Sequence, residues 1–212
     1  GFLKQAPFLN ECLNTIQSEE IVIVPFFISN GYYTQKVVPR DLGLVSTFTE
    51  RSGKKITYCQ PLGRDPLFAE IIIQRAREIA ALKVGRPLDE ITLAILGHGT
   101  SQNPVSEKNI FLQAERVVEQ QLFSDVHTVF IDQEPLIDSI FDAAQSDTII
   151  MVPLFVANGW HVSQTIPEEM GMKDGVLERD GKQLFYADAT GTDPGVTDLI
   201  LKMATASPKC MS

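Results

Sequence analysis

The sequence predicts an α/β fold in which a doubly wound, four-stranded parallel sheet occurs twice in tandem, with the first copy truncated at its N-terminus. Three observations predict it. The 212-residue chain contains a long internal repeat, its second half alternates apolar strands with amphipathic helices, and polar side chains follow three of those strands. Strands that are apolar on nearly every residue are typical of a parallel sheet covered by helices on both faces.

The internal repeat relates residues that lie 128 positions apart. By our count about 22 of 74 aligned positions are identical, and no gap is needed between Phe2/Phe130 and Asp65-Pro66/Asp193-Pro194. We therefore expect an incomplete, degenerate repeat at residues 1–85 and a repeat carrying the functional site at residues 86–212. The counterpart of the opening segment of the second copy would precede Gly1, so the first copy is expected to lack its first strands.

The second copy supplies the element pattern. The predicted strands are Ile91–Leu96, Val126–Ile131, Thr148–Val156 and a fourth near Leu184–Ala187. The predicted helices are one from Ser106 to about Gln121, one that begins at Pro135, and a last one from about Val196. The segment between Val156 and Leu184 is predicted to be a long connection.

Polar side chains follow three predicted strands. His98 follows the first, Asp132 the second and His161 the third. Parallel strands bring their carboxyl ends to one edge of the sheet, where such folds bind ligands. Two imidazoles and a carboxylate form a set of nitrogen and oxygen ligands suited to a borderline divalent metal ion. Gly97 and Gly99 would allow a bulky ligand to approach the backbone closely.

Each of these residues also has an ordinary structural interpretation. A histidine at a strand end is often only a cap, and Asp132 could cap the helix that follows it. His127 lies inside a predicted strand and is interpreted as structural. Trp160, the single tryptophan, is either a stacking surface for a flat ligand or a partly buried anchor. The metal-site hypothesis therefore depends on the combination, since His98 and His161 are two of only three histidines.

Composition excludes several classes of function. The net charge of −9 argues against general nucleic-acid binding, and no apolar run approaches the roughly 20 residues that cross a bilayer. The three cysteines form no closely spaced pair, which indicates reduced thiols and a cytoplasmic location. No phosphate-binding loop motif of the type G-x-x-x-x-G-K-[ST] is present, so no nucleotide or other organic cofactor is expected.

The motifs in combination resemble the CbiX/SirB family of sirohydrochlorin chelatases. They are "AILGHGT", "FID" before a proline-led helix, "VPLFVANGWHVSQTIP" and "ATGTDP". The resemblance implies a chelatase-like fold with strand order 2-1-3-4. It also implies a lyase that inserts a divalent metal (cobalt or iron, in some members nickel) into a tetrapyrrole for cobalamin or sirohaem biosynthesis. The metal ion would then be a substrate, taken as Co²⁺, Fe²⁺ or Ni²⁺.

The resemblance also assigns site residues. His98 and His161 match the two metal-site histidines of the family, and Asp132 matches a glutamate that is one methylene longer. The segments around them predict a tetrapyrrole-binding surface formed by Gly97, Gly99, Thr100, Asn158, Gly159 and Trp160. The sequence departs from the family in two places. Thr165 stands where an aspartate is common, and "TSQNP" lacks an arginine often found there.

The first copy keeps the scaffold but not the metal-site residues. Tyr33 stands at the position of His161 and Lys4 at that of Asp132. A protonated lysine is not a metal ligand and repels cations, so this copy is expected to line the substrate cleft. Lys4, Lys36 or Arg40 would then contact the acidic tetrapyrrole.

Other functions on the same fold stay open. A metal or tetrapyrrole carrier on the same fold would bind without turnover, and a purely structural partner would bind no metal at the histidines. A phospho-transfer histidine enzyme is disfavoured because Gly97 stands where an arginine would be needed.

The apolar stretch Glu20–Phe27 would lack a strand on one side. We expect that edge to be covered by another protomer, by the second copy, or by residues outside this sequence.

Overall fold

Two sheets, one for each repeat, form the framework of the protein. The computed structural model describes residues 1–99 and 104–206. The chain divides into two compact units, Pro66–Val196 and a unit formed by Gly1–Asp65 with the described chain from Thr197 onward. The predicted boundary between the two sequence repeats, at residues 85 and 86, concerns their origin by duplication and not these compact units, and it stays a prediction.

The first unit contains a three-stranded sheet. Its elements are α1 (Leu9–Thr15), β1 (Glu20–Ile23), α2 (Val38–Leu42), β2 (Phe48–Arg51) and β3 (Lys54–Tyr58). The strand order is β1-β3-β2, with β1 parallel and β2 antiparallel to β3. Ser52 and Gly53 form the two-residue loop between β2 and β3. Both have positive φ, as the common tight hairpin turn requires.

The second unit contains a five-stranded sheet. Its elements are α3 (Phe68–Ile79), β4 (Thr92–Gly97), α4 (Pro104–Glu119), β5 (Asp125–Phe130), α5 (Ile140–Ala143), β6 (Thr148–Pro153), α6 (Ile166–Met170), β7 (Val176–Arg179) and β8 (Lys182–Tyr186). The helix α7 (Gly195–Thr205) follows them. The order β5-β4-β6-β8-β7 confirms the expected parallel order 2-1-3-4 and adds β7, an antiparallel edge strand that was not predicted.

Helices cover both faces of this sheet. Strands β4 and β6 are buried along their whole length. On one face, alternate residues of these strands such as Ala94, Leu96 and Met151 pack into a cluster with residues of α5 and α6. The helices α3 and α4 contact the strands and each other. Each large aliphatic side chain buried in this way contributes roughly 1.5–3 kcal/mol to stability. Because helices pack on both faces of the parallel strands, the prediction of a doubly wound sheet is confirmed.

Equivalent glycines show that the duplication is also structural. The amide of Gly63 donates to the carbonyl of Phe27, and the amide of Gly191 donates to that of Phe155, 128 positions later in each case. A side chain could not be added at either position. A Cβ would lie 2.1 Å from the backbone oxygen of Ile28 at the first glycine and 2.2 Å from a backbone oxygen at the second. The match is therefore a requirement of packing.

The long connection predicted between the third and fourth strands is partly helical. It contains a π-helical turn, His161–Thr165, that leads directly into α6. Pro167 lies in the first turn of α6, where a missing N–H costs little, and Gly171 ends the helix with φ +75°. No helix in the described parts of the chain is long and apolar enough to cross a membrane.

Candidate metal-insertion site

The candidate site lies at the carboxyl edge of the central strands of the second unit. Strand β4 has β5 on one side and β6 on the other, in register at Gly97/Phe130 and Leu96/Pro153. His98 follows β4 at once. The amide of Asp132 donates to the carbonyl of His98 over 3.0 Å, which holds the two strand ends together. The topology thus places both residues at one edge, as the sequence predicted.

The structure brings the two histidines together. The ring centroids of His98 and His161 lie 6.1 Å apart, with 33° between the ring planes. Two imidazoles bound to one ion at about 2.1 Å have centroids within roughly 6.5 Å of each other. The separation of the rings falls within that limit. The Phe155 ring lies 6.3 Å from that of His98 and forms an apolar wall beside it.

Asp132 contacts His98. Its Oδ2 lies 3.1 Å from Nδ1 of His98, and the carbonyl oxygen of Gly99 lies 3.2 Å from the same nitrogen. Both neighbours are hydrogen-bond acceptors, so in the neutral ring Nδ1 carries the proton and Nε2 keeps its lone pair. A carboxylate in this position orients a metal-binding histidine in many proteins.

The described residues contain no cluster of three or more histidine, cysteine, aspartate or glutamate side chains arranged to hold a metal ion. From the sequence we expect the two imidazoles to hold the ion and the carboxylate to assist them. In the structure the carboxylate of Asp132 faces a ring nitrogen of His98. The result is a histidine pair supported by a carboxylate.

Gly97 and Gly99 are needed for packing inside the protein. A Cβ at Gly97 would lie 2.4 Å from Cδ1 of Ile110. Gly99 has φ +78°, which favours glycine, and a Cβ there would lie 2.6 Å from Cγ of Gln133. These contacts explain both glycines without a ligand. Their contact with substrate stays a prediction, and Thr100 lies outside the described residues.

The turn before His161 is built by Asn158 and Gly159. The side-chain nitrogen of Asn158 donates to Asp188 over 2.9 Å, and its oxygen accepts the amide of Ala189 over 2.7 Å. The carbonyl of Gly159 accepts the amide of Val162 over 2.9 Å and starts the helical turn. Asn158 is therefore a structural link between the loops after β6 and β8, which sequence reasoning did not identify.

A buried tyrosine supports the same turn from below. The hydroxyl of Tyr186 donates to the carbonyl of Val162 over 3.2 Å, and burial raises the pKa of this phenol. The phenol is therefore neutral and available as a donor at neutral pH. Tyr186 positions the backbone next to His161 without reaching the site itself, and its role could have been suspected only from its identity with Tyr58 in the repeat.

Trp160 is exposed beside the candidate site, whereas His127 is paired with a carboxylate inside a strand. The Trp160 side chain is 75% exposed and immediately precedes His161, which excludes the buried-anchor interpretation. Its proposed contact with substrate stays a prediction. Nε2 of His127 lies 2.6 Å from Oδ2 of Asp125, within β5. This pairing agrees with the structural interpretation of His127.

Comparison with known proteins places the chain in a family. A model of the CbiX family matches residues 1–79 and 92–207. The probable sirohydrochlorin cobaltochelatase of Halobacterium salinarum is 34% identical over 228 residues, which cover 96% of this chain and 77% of that protein. The sirohydrochlorin cobaltochelatase of Methanococcus aeolicus is 26% identical over 138 residues, covering 53% of this chain and 96% of that protein.

Solved structures share the fold. A multi-domain protein of Deinococcus radiodurans with structural similarity to chelatases superposes with a TM-score of 0.79 at 24% identity, covering 96% of this chain and 45% of that one. SirB from Bacillus subtilis, solved with Fe³⁺, gives a TM-score of 0.70 at 16% identity and covers 96% and 80% of the two chains. From the family match and the 34% identical relative, the chain belongs to the CbiX family.

Proposed function

We propose that this protein inserts a divalent metal ion into sirohydrochlorin or a closely related tetrapyrrole, with cobalt as the first candidate and iron as the second. The observation that carries the proposal is the 6.1 Å separation of the His98 and His161 rings at the carboxyl edge of the sheet. Relatives named as sirohydrochlorin cobaltochelatases support cobalt. Structures of SirB with Fe³⁺ and with cobalt support both metals.

Metal insertion replaces two pyrrolic N–H protons with one divalent ion and releases both protons. The protein must therefore hold a partly hydrated ion and accept protons beside the macrocycle. A neutral imidazole can do either near pH 7, because its unperturbed pKa is about 6.5. In the proposed mechanism Nε2 of His98 and the ring of His161 hold the ion. As the ion moves into the macrocycle, the released imidazoles accept the protons.

An open histidine pair suits a metal that has to leave. A closed tetrahedral site of four protein ligands retains its ion, whereas a site with open positions leaves room for water and then for the pyrrole nitrogens. Trp160 would stack on the face of the macrocycle, and Phe155 would exclude water beside His98. The proposed chemistry belongs to the second repeat, residues 86–212, with residues 1–85 as the degenerate repeat.

The test is an absorbance assay of sirohydrochlorin with Co²⁺, Fe²⁺ or Ni²⁺, with and without protein. We expect the tetrapyrrole spectrum to convert to that of the metal complex faster with protein, at catalytic protein concentration and with cobalt at least as fast as iron. A carrier on the same fold would bind sirohydrochlorin stoichiometrically and leave the rate unchanged. That outcome would overturn the enzymatic proposal and favour the carrier.

A further inference from the structure

The first unit contains a cavity that the proposed chemistry does not use. Its volume is about 480 Å³, within the usual range for small-ligand pockets. It opens beside the segments that follow β1 and β3. Its polar lining consists of Asn30, Thr34, Gln35, Ser46, Thr47, Tyr58, Gln60 and Arg64.

Comparison with the second repeat shows which residues differ at this cavity. At the matching place in the second unit, Asn158 is bonded to Asp188 and to the amide of Ala189. The residues 128 positions earlier are Asn30, Gln60 and Pro61. The change from aspartate to glutamine removes a negative charge, and a proline cannot donate an amide proton.

Among the described residues, the amide nitrogen of Asn30 and the side chain of Gln60 have no hydrogen-bond partner. The side-chain oxygen of Asn30 accepts the hydroxyl of Thr34 over 3.1 Å. The described part of the first unit contains no equivalent of the bonds that Asn158 makes with Asp188 and with the amide of Ala189. The side chains of Asn30 and Gln60 line the cavity, so their carboxamide groups can serve a ligand.

The charge of the lining sets the class of ligand. The whole chain carries 27 acidic and 18 basic residues. The described residues that line the cavity nevertheless include one basic residue, Arg64, and no aspartate or glutamate. Arginine and carboxamide N–H groups are donors that match a carboxylate. A divalent cation would find neither a carboxylate nor an imidazole there.

We propose that this cavity binds a small organic acid. The carboxylate would lie against Arg64 and the amide groups of Asn30 and Gln60, and a short aliphatic body would pack on Pro39 and Leu44, which also line the cavity. Neither His98 nor His161 is among the residues that line this cavity, and the proposal does not depend on metal insertion. It gives the repeat that lost the metal-site residues a binding function of its own.

The experiment is a titration of uniformly ¹⁵N-labelled protein with glutarate, followed by NMR of the side-chain amide signals. We expect saturable shifts of the Asn30 and Gln60 amide groups. The neutral isostere glutaramide should bind at least tenfold more weakly, because it lacks the charge that faces Arg64. Saturable shifts by inorganic phosphate but not by glutarate would overturn the assignment to organic acids.

Two variants and a control complete the test. Gln60→Asp restores the residue of the second repeat and places a carboxylate against the ligand, so binding should weaken at least tenfold. Arg64→Gln should also weaken binding at least tenfold, because it removes the positive charge. Lys55→Gln changes the net charge equally at an exposed position outside the lining and should leave binding unchanged. Equal binding by all four proteins, with native spectra, would overturn the proposal.

Discussion

The carboxylate of Asp132 lies 3.1 Å from Nδ1 of His98, at the point where two neighbouring parallel strands end. This contact is the basis for the two different tasks in the proposed mechanism. There His98 would present Nε2 to the ion, and Asp132 would orient the ring and hold the proton on Nδ1. In the family resemblance the matching residue is a glutamate. The shorter aspartate here reaches Nδ1 of His98 while its own amide donates to the carbonyl of His98.

The first prediction tests this supporting role. Asp132→Ala should lower the rate of metal insertion by about tenfold, the usual effect of losing a carboxylate that orients a metal-binding histidine. Asp132→Asn should recover much of it, because its amide oxygen can still accept the Nδ1 proton. Insertion rates and Co²⁺ affinity by calorimetry check both. If Asp132→Asn were as defective as His98→Ala, the carboxylate would have to be a direct ligand or base.

The second prediction compares the two repeats at one aligned position. His161→Ala should lower metal insertion by on the order of a hundredfold, since it removes one of the two proposed ligands and a proposed proton acceptor. Tyr33→Ala, at the matching position of the first repeat, should keep most of the activity. The measurement is the initial rate of sirohydrochlorin metallation. Equal losses in the two variants would mean that both repeats contribute to one composite site.

The third prediction uses the single tryptophan as both ligand contact and reporter. Trp160 is 75% exposed and precedes His161. Bound sirohydrochlorin should therefore quench its fluorescence in a saturable way. Trp160→Ala should raise KM by about two- to tenfold, as expected for an aromatic contact of roughly 0.5–1.5 kcal/mol. Trp160→Phe should raise KM less. A change confined to kcat would argue against stacking.

Much of this site was predictable because topology controls it. Alternating apolar strands and helices indicate a parallel sheet, and a parallel sheet brings the residues after its strands to one edge. His98 and His161 could therefore be paired before their distance was known. The contact of Asp132 with His98 could not be predicted, because it depends on a side-chain rotamer and on one hydrogen bond between strand ends.

Two elements of the second unit were missed for local reasons. Strand β7 is only Val176–Arg179, a half-polar segment whose partner β8 decides its conformation. The helical turn and α6 were interpreted as a connection because Pro167 lies among polar residues. In the structure that proline occupies the first turn of α6, after a π-helical turn that already follows the helical path. Sequence periodicity over so few residues could not distinguish these cases.

The fourth prediction concerns stability at alkaline pH. Burial raises the pKa of Tyr58 to about 12, whereas the phenol in the unfolded chain ionises near 10. Between about pH 10 and 12 the unfolded chain therefore binds fewer protons than the folded chain. The free energy of unfolding must then fall as pH rises through this interval, while below pH 10 this contribution is constant.

Replacement of the Tyr58 phenol should weaken rather than abolish this pH dependence, because Tyr186, whose pKa burial also raises, still contributes to it. Tyr58→Phe loses the hydrogen bond from the hydroxyl to the carbonyl of Thr34, so it should cost about 1 kcal/mol at pH 7. Between pH 10 and 12 its unfolding free energy should fall less steeply than that of the wild type. Urea unfolding at several pH values measures both. Tyr32→Phe, at a 62% exposed position, is the control, and an identical slope in all three proteins would contradict the prediction.

The last prediction concerns the open edge of the first sheet. Strand β1 pairs with β3 alone in the described sheet, whereas its counterpart β6 pairs with β4 on one side and β8 on the other. The carbonyls of Glu19 and Ile23 accept amides from the β3 side. Alternate residues of a parallel strand bond the same neighbour, so the backbone groups of Val22 face the open edge.

An apolar edge of this kind favours pairing with another strand, and we expect a second copy of the chain to supply it. The measured mass in solution should then exceed 23.5 kDa and rise with concentration. Val22→Pro removes the outward N–H and keeps the hydrogen bonds between β1 and β3, so it should return the protein to a monomer with native circular dichroism. Ile21→Pro interrupts the β1–β3 ladder and should destabilise the unit. Light scattering after gel filtration decides the matter. A wild-type protein that stays at 23.5 kDa at all concentrations, with rapid hydrogen exchange at the Val22 amide, would show that the edge is stable without a partner.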